Sequence, residues 1–223
     1  MRDVEDVVKD SWDKYSSEYD KCIISGEKHW KNYFYPRISK INVKDKEILD
    51  IGCGNGHIVR ILKDYKRYVG IDLSEKLIEI ARKRFGDRGE FYVMDAGALE
   101  FDDESFDIVF CLMVIHNAPN FEDLVKGGFR VLRRNGLFVV IENHPCFNPP
   151  NRERLDKDTT VIKEYRKEGV YKHRMNSTIP YFHRTLQTIL NEFSKYGKLE
   201  KFGEIYEDNR TISNFIFMIW RKC

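Results

Sequence analysis

The stretch LDIGCGNG, residues 49–56, decides the fold of this chain. It reads as a short apolar strand that ends on a carboxylate and turns over three glycines toward a helix. Ile48, Leu49 and Ile51 supply the apolar side, Asp50 the acid, and Gly52, Gly54 and Gly56 the turn. Glycine tolerates positive φ and lets a ligand come close to the main chain. Open α/β sheets bind nucleotide-like ligands at such turns, outside the carboxyl ends of their strands.

Strand and helix patterns alternate outward from this turn. Apolar runs predict strands at 47–51, 68–71, 91–94, 106–112 and 137–141, the fourth (FDIVFCL) continuous as in a strand buried on both faces. Helical spacing predicts helices over 56–65, over 74–85 with Ser74 as its cap, and over 121–132, ended by Arg134-Asn135-Gly136. That rhythm implies a parallel sheet covered on both sides. Upstream, Val4, Val7, Val8, Trp12, Tyr15 and Tyr19 mark a helix over 3–24, and a second helical stretch covers 29–40 around Pro36. Beyond Pro145 the rhythm breaks into a charged insert, followed by a helix over 184–196 and two successive strands, 198–206 and 213–221.

Composition narrows the function. With 38 Lys and Arg against 36 Asp and Glu, the net charge of +2 argues against a dedicated nucleic-acid binder. The five scattered cysteines form no C-x-x-C pair, and their odd number suits a reducing compartment. The N-terminus lacks an apolar signal core, and no stretch approaches the length of a membrane span. The expectation is one cytoplasmic domain, 1–223, without a membrane partner. Its parts are a helical cover (1–45), a binding core (46–145), a lid or insert (146–183) and a closing helix and strands (184–223).

A dinucleotide turn reads G-x-G-x-x-G, whereas here the third glycine comes one residue early. Asp72 follows the second strand and Asp95 the third, so acids stand at three consecutive strand ends. Alone, each has an ordinary explanation as a capping or turn residue; together with the glycines they form a constellation. Residues 47–141 and the final strand pair resemble a class I S-adenosylmethionine-dependent methyltransferase of the small-molecule type. The resemblance implies a Rossmann-like, doubly wound, seven-stranded mixed sheet with its last strand antiparallel, and S-adenosyl-L-methionine as cofactor. It implies that Gly52, Gly54 and Gly56 meet the cofactor's amino acid portion and that Asp50 lies near its ammonium group. Asp72 would accept from the ribose hydroxyls, Leu73 would pack on the adenine, Asp95 and Ala96 would read its edge, and Leu112 would flank the methionine chain. Tyr15 and Tyr19, four apart on one helical face, would cover the site.

The acceptor is written less clearly. His116, in the loop after the fourth strand, and His144, after the fifth, are the candidate catalytic bases; shaping the loop or packing on the cofactor is the plainer reading for His116, and ordering the turn is the alternative for His144. Glu142 and Asn143 resemble half of a magnesium site, but Leu112 and Met113 bring no acid to complete it, so no metal is expected. Asn148-Pro149-Pro150 resembles an adenine-N6 motif but follows the wrong strand. Residues 151–185 carry nine Lys or Arg against five acids. By resemblance His183 and Arg184 face the acceptor, and an anionic group would suit them; a solvated charged face is the plainer reading. The sequence therefore points to methyl transfer onto O or N of a small molecule. A tRNA or protein methyltransferase, a non-catalytic cofactor-binding protein and a nucleotide-dependent dehydrogenase or epimerase stay open, as does the oligomeric state.

Overall fold

The computed structural model describes residues 3–25, 28–147, 149, 152–156, 159–172, 178–207 and 211–223. The chain opens with α1 (Val4–Ile24) and passes through a π-helical turn (Trp30–Phe34) into α2 (Tyr35–Ile38). Then come β1 (Glu47–Ile51), a 3-10 turn (His57–Ile61), β2 (Arg67–Asp72), α3 (Glu75–Phe85), β3 (Glu90–Val93) and β4 (Phe106–Leu112). A short 3-10 turn (Ile115–Asn117) leads to α4 (Phe121–Val131) and β5 (Leu132–Asn143). The insert forms β6 (Arg152–Arg154), β7 (Thr160–Ile162), β8 (Gly169–Lys172) and β9 (Pro180–His183); α5 (Leu186–Ser194), β10 (Gly197–Ile205) and β11 (Phe215–Lys222) complete the chain.

Seven strands make one sheet in the order β10-β11-β5-β4-β1-β2-β3. β11 runs antiparallel to both of its neighbours, and the other pairings are parallel. This is the mixed, doubly wound sheet that the family resemblance implies, with the parallel core that the alternating runs predict. Its strands bury side chains in two layers. Ile48, Ile108, Phe110, Val139, Ile141 and Phe217 pack on one side with Trp30, Phe34, Ile38 and Ile78. Leu49, Ile51, Val109, Cys111, Val140 and Met218 pack on the other with Phe121, Phe129, Ile189 and Phe193. Each fully buried large side chain contributes about 1.5–3 kcal/mol, so the two layers hold the strand ends that build the site.

Three elements differ from expectation. The predicted helix over 56–65 is only the 3-10 turn His57–Ile61. Asp64 takes a left-handed φ of 58°, and Lys66 N donates to Lys46 O, so the chain has already turned toward β2. β5 starts at Leu132, directly after α4, and Arg134-Asn135-Gly136 lies in its irregular early part, with Asn135 at φ 62°. The helix expected from Arg184 begins at Leu186, because the Thr185 side chain caps it by accepting from Thr188 N.

The insert is two antiparallel hairpins, β6–β7 and β8–β9. Asn148 and Pro150 of the discounted motif lie outside the described residues. Among the described residues no helix is long and apolar enough to cross a membrane.

Candidate functional site

A cavity of about 500 Å³ lies at the carboxyl ends of the central strands, beneath α1. On the β1–β2–β3 side its walls are Gly52, Gly54, Asp72, Leu73, Met94, Asp95, Ala96 and Gly97. Leu112, Met113, Val114 and His116 form the middle. On the β5–β11 side the walls are Trp30, Phe34, Asn143, Ile179, Tyr181 and Phe215, with His29, Arg152, Glu207 and Asn214. The cavity thus has a polar half built on strand ends and an aromatic half built on the cover and the insert.

The glycine turn works by close approach. Gly52 has a φ of 70°, and a Cβ there would lie 2.3 Å from Val114 Cγ2. Gly56, at φ 74°, does not line the cavity; a Cβ there would lie 2.8 Å from the Phe91 ring, so its role is to seat the turn on the core. Either position would force an ordinary residue into a costly left-handed conformation.

Asp72 is tied to this turn. Its Oδ2 accepts from Gly54 N and its Oδ1 from Ser74 N, both at 2.9 Å. Burial pushes its carboxyl up to about 6, against the pull of these hydrogen bonds. Each oxygen keeps a further lone pair with which to accept from a ligand hydroxyl. Asp95 Oδ1 accepts from Gly97 N at 3.0 Å, and Leu73, Met94 and Ala96 line the apolar slot beside it.

Asp50 differs from the other two acids. It is 1% exposed, does not line the cavity, and accepts from the Tyr68 hydroxyl at 2.5 Å. Burial pushes its carboxyl up to about 7, and the Asp72 charge adds to the effect. It stands behind the turn, without direct access to the cavity.

Tyr15 and Tyr19 line the cavity from α1, as the helical spacing requires. A Cβ at Gly54 would lie 3.2 Å from the Tyr19 ring, so this tyrosine presses directly on the turn. Burial, with the nearby Asp72 charge, pushes the Tyr19 phenol up. Two aspartates latch α1 in place. Asp13 accepts from Ser74 Oγ at 2.6 Å and from Lys76 N at 3.2 Å. Asp20 accepts from Arg84 at 2.7 and 2.9 Å and from Asn55 Nδ2 at 2.7 Å. Ser11 Oγ reaches the insert by donating to Thr178 O at 2.8 Å.

Of the four candidates for acceptor chemistry, only His116 lines the cavity. His144 is buried elsewhere: its Nδ1 accepts from Cys146 N at 3.2 Å and its Nε2 pairs with Glu204 Oε1 at 2.9 Å. It orders the turn after β5, and burial lowers its basicity. His183 is 2% exposed and pairs through Nε2 with Tyr165 O at 2.8 Å. Arg184 donates to the carbonyls of Ile115, Ala118 and Pro119 and lies over the Phe121 ring at 4.7 Å. It braces the loop that carries His116 without lining the large cavity. An anion site built from His183 and Arg184 therefore has no geometric support.

Several lining residues carry no sequence signal. Met113 sits at the end of β4 with a left-handed φ of 63°, a strained position for a non-glycine residue. Trp30, Phe34, Tyr181 and Phe215 converge from elements far apart in the chain. The charge imbalance of the wall has no local sequence signal either. Among the described lining residues Arg152 is the only Lys or Arg, against Glu5, Asp72, Asp95 and Glu207.

Comparisons with known proteins bear on the family and the fold. The sequence model of a family described as "Methyltransferase domain" matches residues 49–140. The chain is 36% identical over 118 residues to a demethylmenaquinone methyltransferase of Thermotoga maritima, covering 52% of this chain and 49% of that protein. It is 29% identical over 221 residues to a demethylmenaquinone methyltransferase of Lactococcus lactis, covering 93% of this chain and 79% of that protein. The crystal structure of an S-adenosylmethionine-dependent methyltransferase from Mesorhizobium loti superposes with a TM-score of 0.77 at 23% identity, covering 89% of this chain and all of that one. The chain spans about half the length of the Thermotoga relative.

Proposed function

The chain belongs to the class I S-adenosylmethionine-dependent methyltransferases, and from that premise we propose that it methylates O or N of a small, largely apolar acceptor. One observation carries the small-molecule reading. The acceptor half of the cavity is walled by Trp30, Phe34, Tyr181 and Phe215 under α1 and the insert, and Arg152 is the only Lys or Arg among the described lining residues. A tRNA substrate would call for a broad basic surface at this place.

The residues fit the cofactor. Gly52 and Gly54 line the cavity in left-handed conformations, so bare backbone faces the space where a ligand would approach. Asp72 faces the cavity with lone pairs to accept from two ribose hydroxyls. Leu73, Met94 and Ala96 offer an apolar slot for a flat base, with Asp95 at its edge. Asp50, whose carboxyl burial pushes up to about 7, would ionise more readily once a ligand ammonium lay on the far side of the turn, acting on it across the turn and without direct contact.

When bound, the cofactor supplies an electrophilic methyl carbon on a positively charged sulfur. The chain's part is alignment and exclusion of water. The α1 latches through Asp13 and Asp20 hold Tyr15 and Tyr19 over the site. Leu112, Met113 and Val114 set the floor between the two halves. The aromatic walls orient a flat acceptor by stacking and edge contacts. His116 stands at the junction, where an acceptor proton would have to leave.

Methyl-labelled cofactor incubated with the protein and a cell extract tests this reading. Label should appear in the low-molecular-weight fraction after ultrafiltration. Label confined to RNA or protein would overturn the proposed substrate class.

A further inference from the structure

Behind His116 stands a group that does not touch the large cavity. Glu142, the penultimate residue of β5, is 2% exposed and lies in a small recess with Ile115, Tyr181 and Arg184. Its Oε1 sits 2.5 Å from His116 Nδ1. The same carboxylate accepts from Asn143 N at 2.6 Å and from His116 N at 3.3 Å. Three nitrogens thus converge on one carboxylate, two of them backbone donors. An ionised carboxylate only accepts, so the imidazole must donate through Nδ1. That fixes the tautomer: Nδ1 carries the proton, and the basic lone pair is on Nε2.

The surroundings hold the ring as well as its proton. Tyr181 of β9 packs against the His116 ring with centroids 5.1 Å apart. Asn117 ties the same turn to β9 by donating from Nδ2 to Pro180 O at 2.9 Å. Arg184 braces the turn through the carbonyls of Ile115 and Ala118, and its charge also faces Glu142 and Tyr181. His116 is thereby the link between the recess that holds Glu142 and the cavity that would hold the acceptor, since it lines both.

We propose that Glu142 is a positioning residue that presents His116 Nε2 as a general base, and that the acceptor is therefore a ring-borne hydroxyl. This rests on the methyltransferase reading above and narrows it from O or N to O–H. An aromatic hydroxyl is mostly protonated at neutral pH and gains nucleophilicity by losing its proton, whereas a carboxylate acceptor needs no base. The four aromatic walls suit a flat ring. In the step proposed, the hydroxyl proton passes to His116 Nε2 as the oxygen bonds to the methyl carbon. The carbon–sulfur bond breaks with its electron pair going to sulfur. The products are a methyl ether and S-adenosylhomocysteine, and the imidazolium returns its proton to water after release.

The test joins a spectroscopic measurement to a kinetic one. Nitrogen-15 NMR of the complex with S-adenosylhomocysteine should show His116 as the Nδ1–H tautomer in the wild type and a mixture of tautomers in Glu142→Gln. With a panel of simple phenols and the corresponding anilines, methyl transfer should be confined to phenols. Glu142→Gln should lower kcat about 10-fold with KM unchanged, and His116→Gln should lower it about 100-fold. A wild-type His116 protonated on Nε2 would overturn the proposal even if Glu142→Gln failed to fold. Transfer to anilines alone, or to no phenol, would overturn the acceptor class. Failure of S-adenosylhomocysteine to bind at all, read by calorimetry beforehand, would instead remove the methyltransferase reading.

Discussion

The two halves of the cavity are built by different means. The donor half consists of strand ends: the turn after β1, Asp72 at the end of β2 and Asp95 just past β3. Its geometry follows from the sheet register, and backbone hydrogen bonds to Asp72 and Asp95 set its side chains. The acceptor half is assembled from α1, the π-helical turn, the insert and the start of β11. It is held by side-chain latches such as Asp13 to Ser74, Asp20 to Arg84 and Ser11 to Thr178. On the proposed function, such a division would let one half stay fitted to the methyl donor while the other is shaped to its acceptor.

The largest expected effect separates the halves directly. Asp72→Ala should weaken S-adenosylhomocysteine binding by about 100-fold or more, since two hydrogen bonds to a charged group are worth about 1.5–3 kcal/mol each. Trp30→Ala should leave that affinity within about threefold while changing which acceptors are methylated. Equal losses in both variants, measured by calorimetry, would erase the distinction.

A second contrast lies inside the glycine turn. Gly56→Ala should cost about 2–4 kcal/mol of stability, from left-handed strain and overlap with Phe91. The folded fraction should keep its cofactor affinity, because Gly56 does not line the cavity. Denaturant unfolding and calorimetry on the same sample would check both statements.

Acidity should affect the donor half selectively. In the proposed binding mode the ionised Asp72 would accept from the ribose hydroxyls, and burial pushes its carboxyl up to about 6. Affinity for S-adenosylhomocysteine should therefore be full above that pH and fall about tenfold per unit below it. Asp72→Asn should flatten the profile. The smallest effect is expected at His144. His144→Gln should leave cofactor affinity and methyl transfer unchanged and cost about 1 kcal/mol of stability through the turn after β5.

The same division explains what the sequence makes legible. Strand runs such as FDIVFCL and the glycine spacing are local patterns, so the sheet and the donor half can be read from single stretches. Gly52, Gly54, Asp72, Leu73, Asp95, Ala96 and Leu112 all line the cavity, as do Tyr15 and Tyr19. Gly56 and Asp50 carry the right residue type but stand behind the wall. The acceptor half depends on long-range packing. Phe215 of the last strand packs on Phe34, which packs on Trp30, so residues about 180 positions apart meet here and no periodicity marks them. The family resemblance turns His183 and Arg184 toward the acceptor, yet both pair with backbone carbonyls and neither lines the large cavity. The Glu142–His116 pair joins the end of β5 to the turn that follows β4, and its meaning depends on a 2.5 Å contact that spacing cannot reveal.

The central claim is that the turn 49–56 with Asp72 and Asp95 holds S-adenosylmethionine and not a dinucleotide. Calorimetric titration of the protein with S-adenosylhomocysteine and, separately, with NAD tests it most directly. The geometry predicts saturable binding of S-adenosylhomocysteine that Asp72→Ala weakens by about 100-fold or more, and no heat from NAD. Binding of NAD without binding of S-adenosylhomocysteine would contradict it.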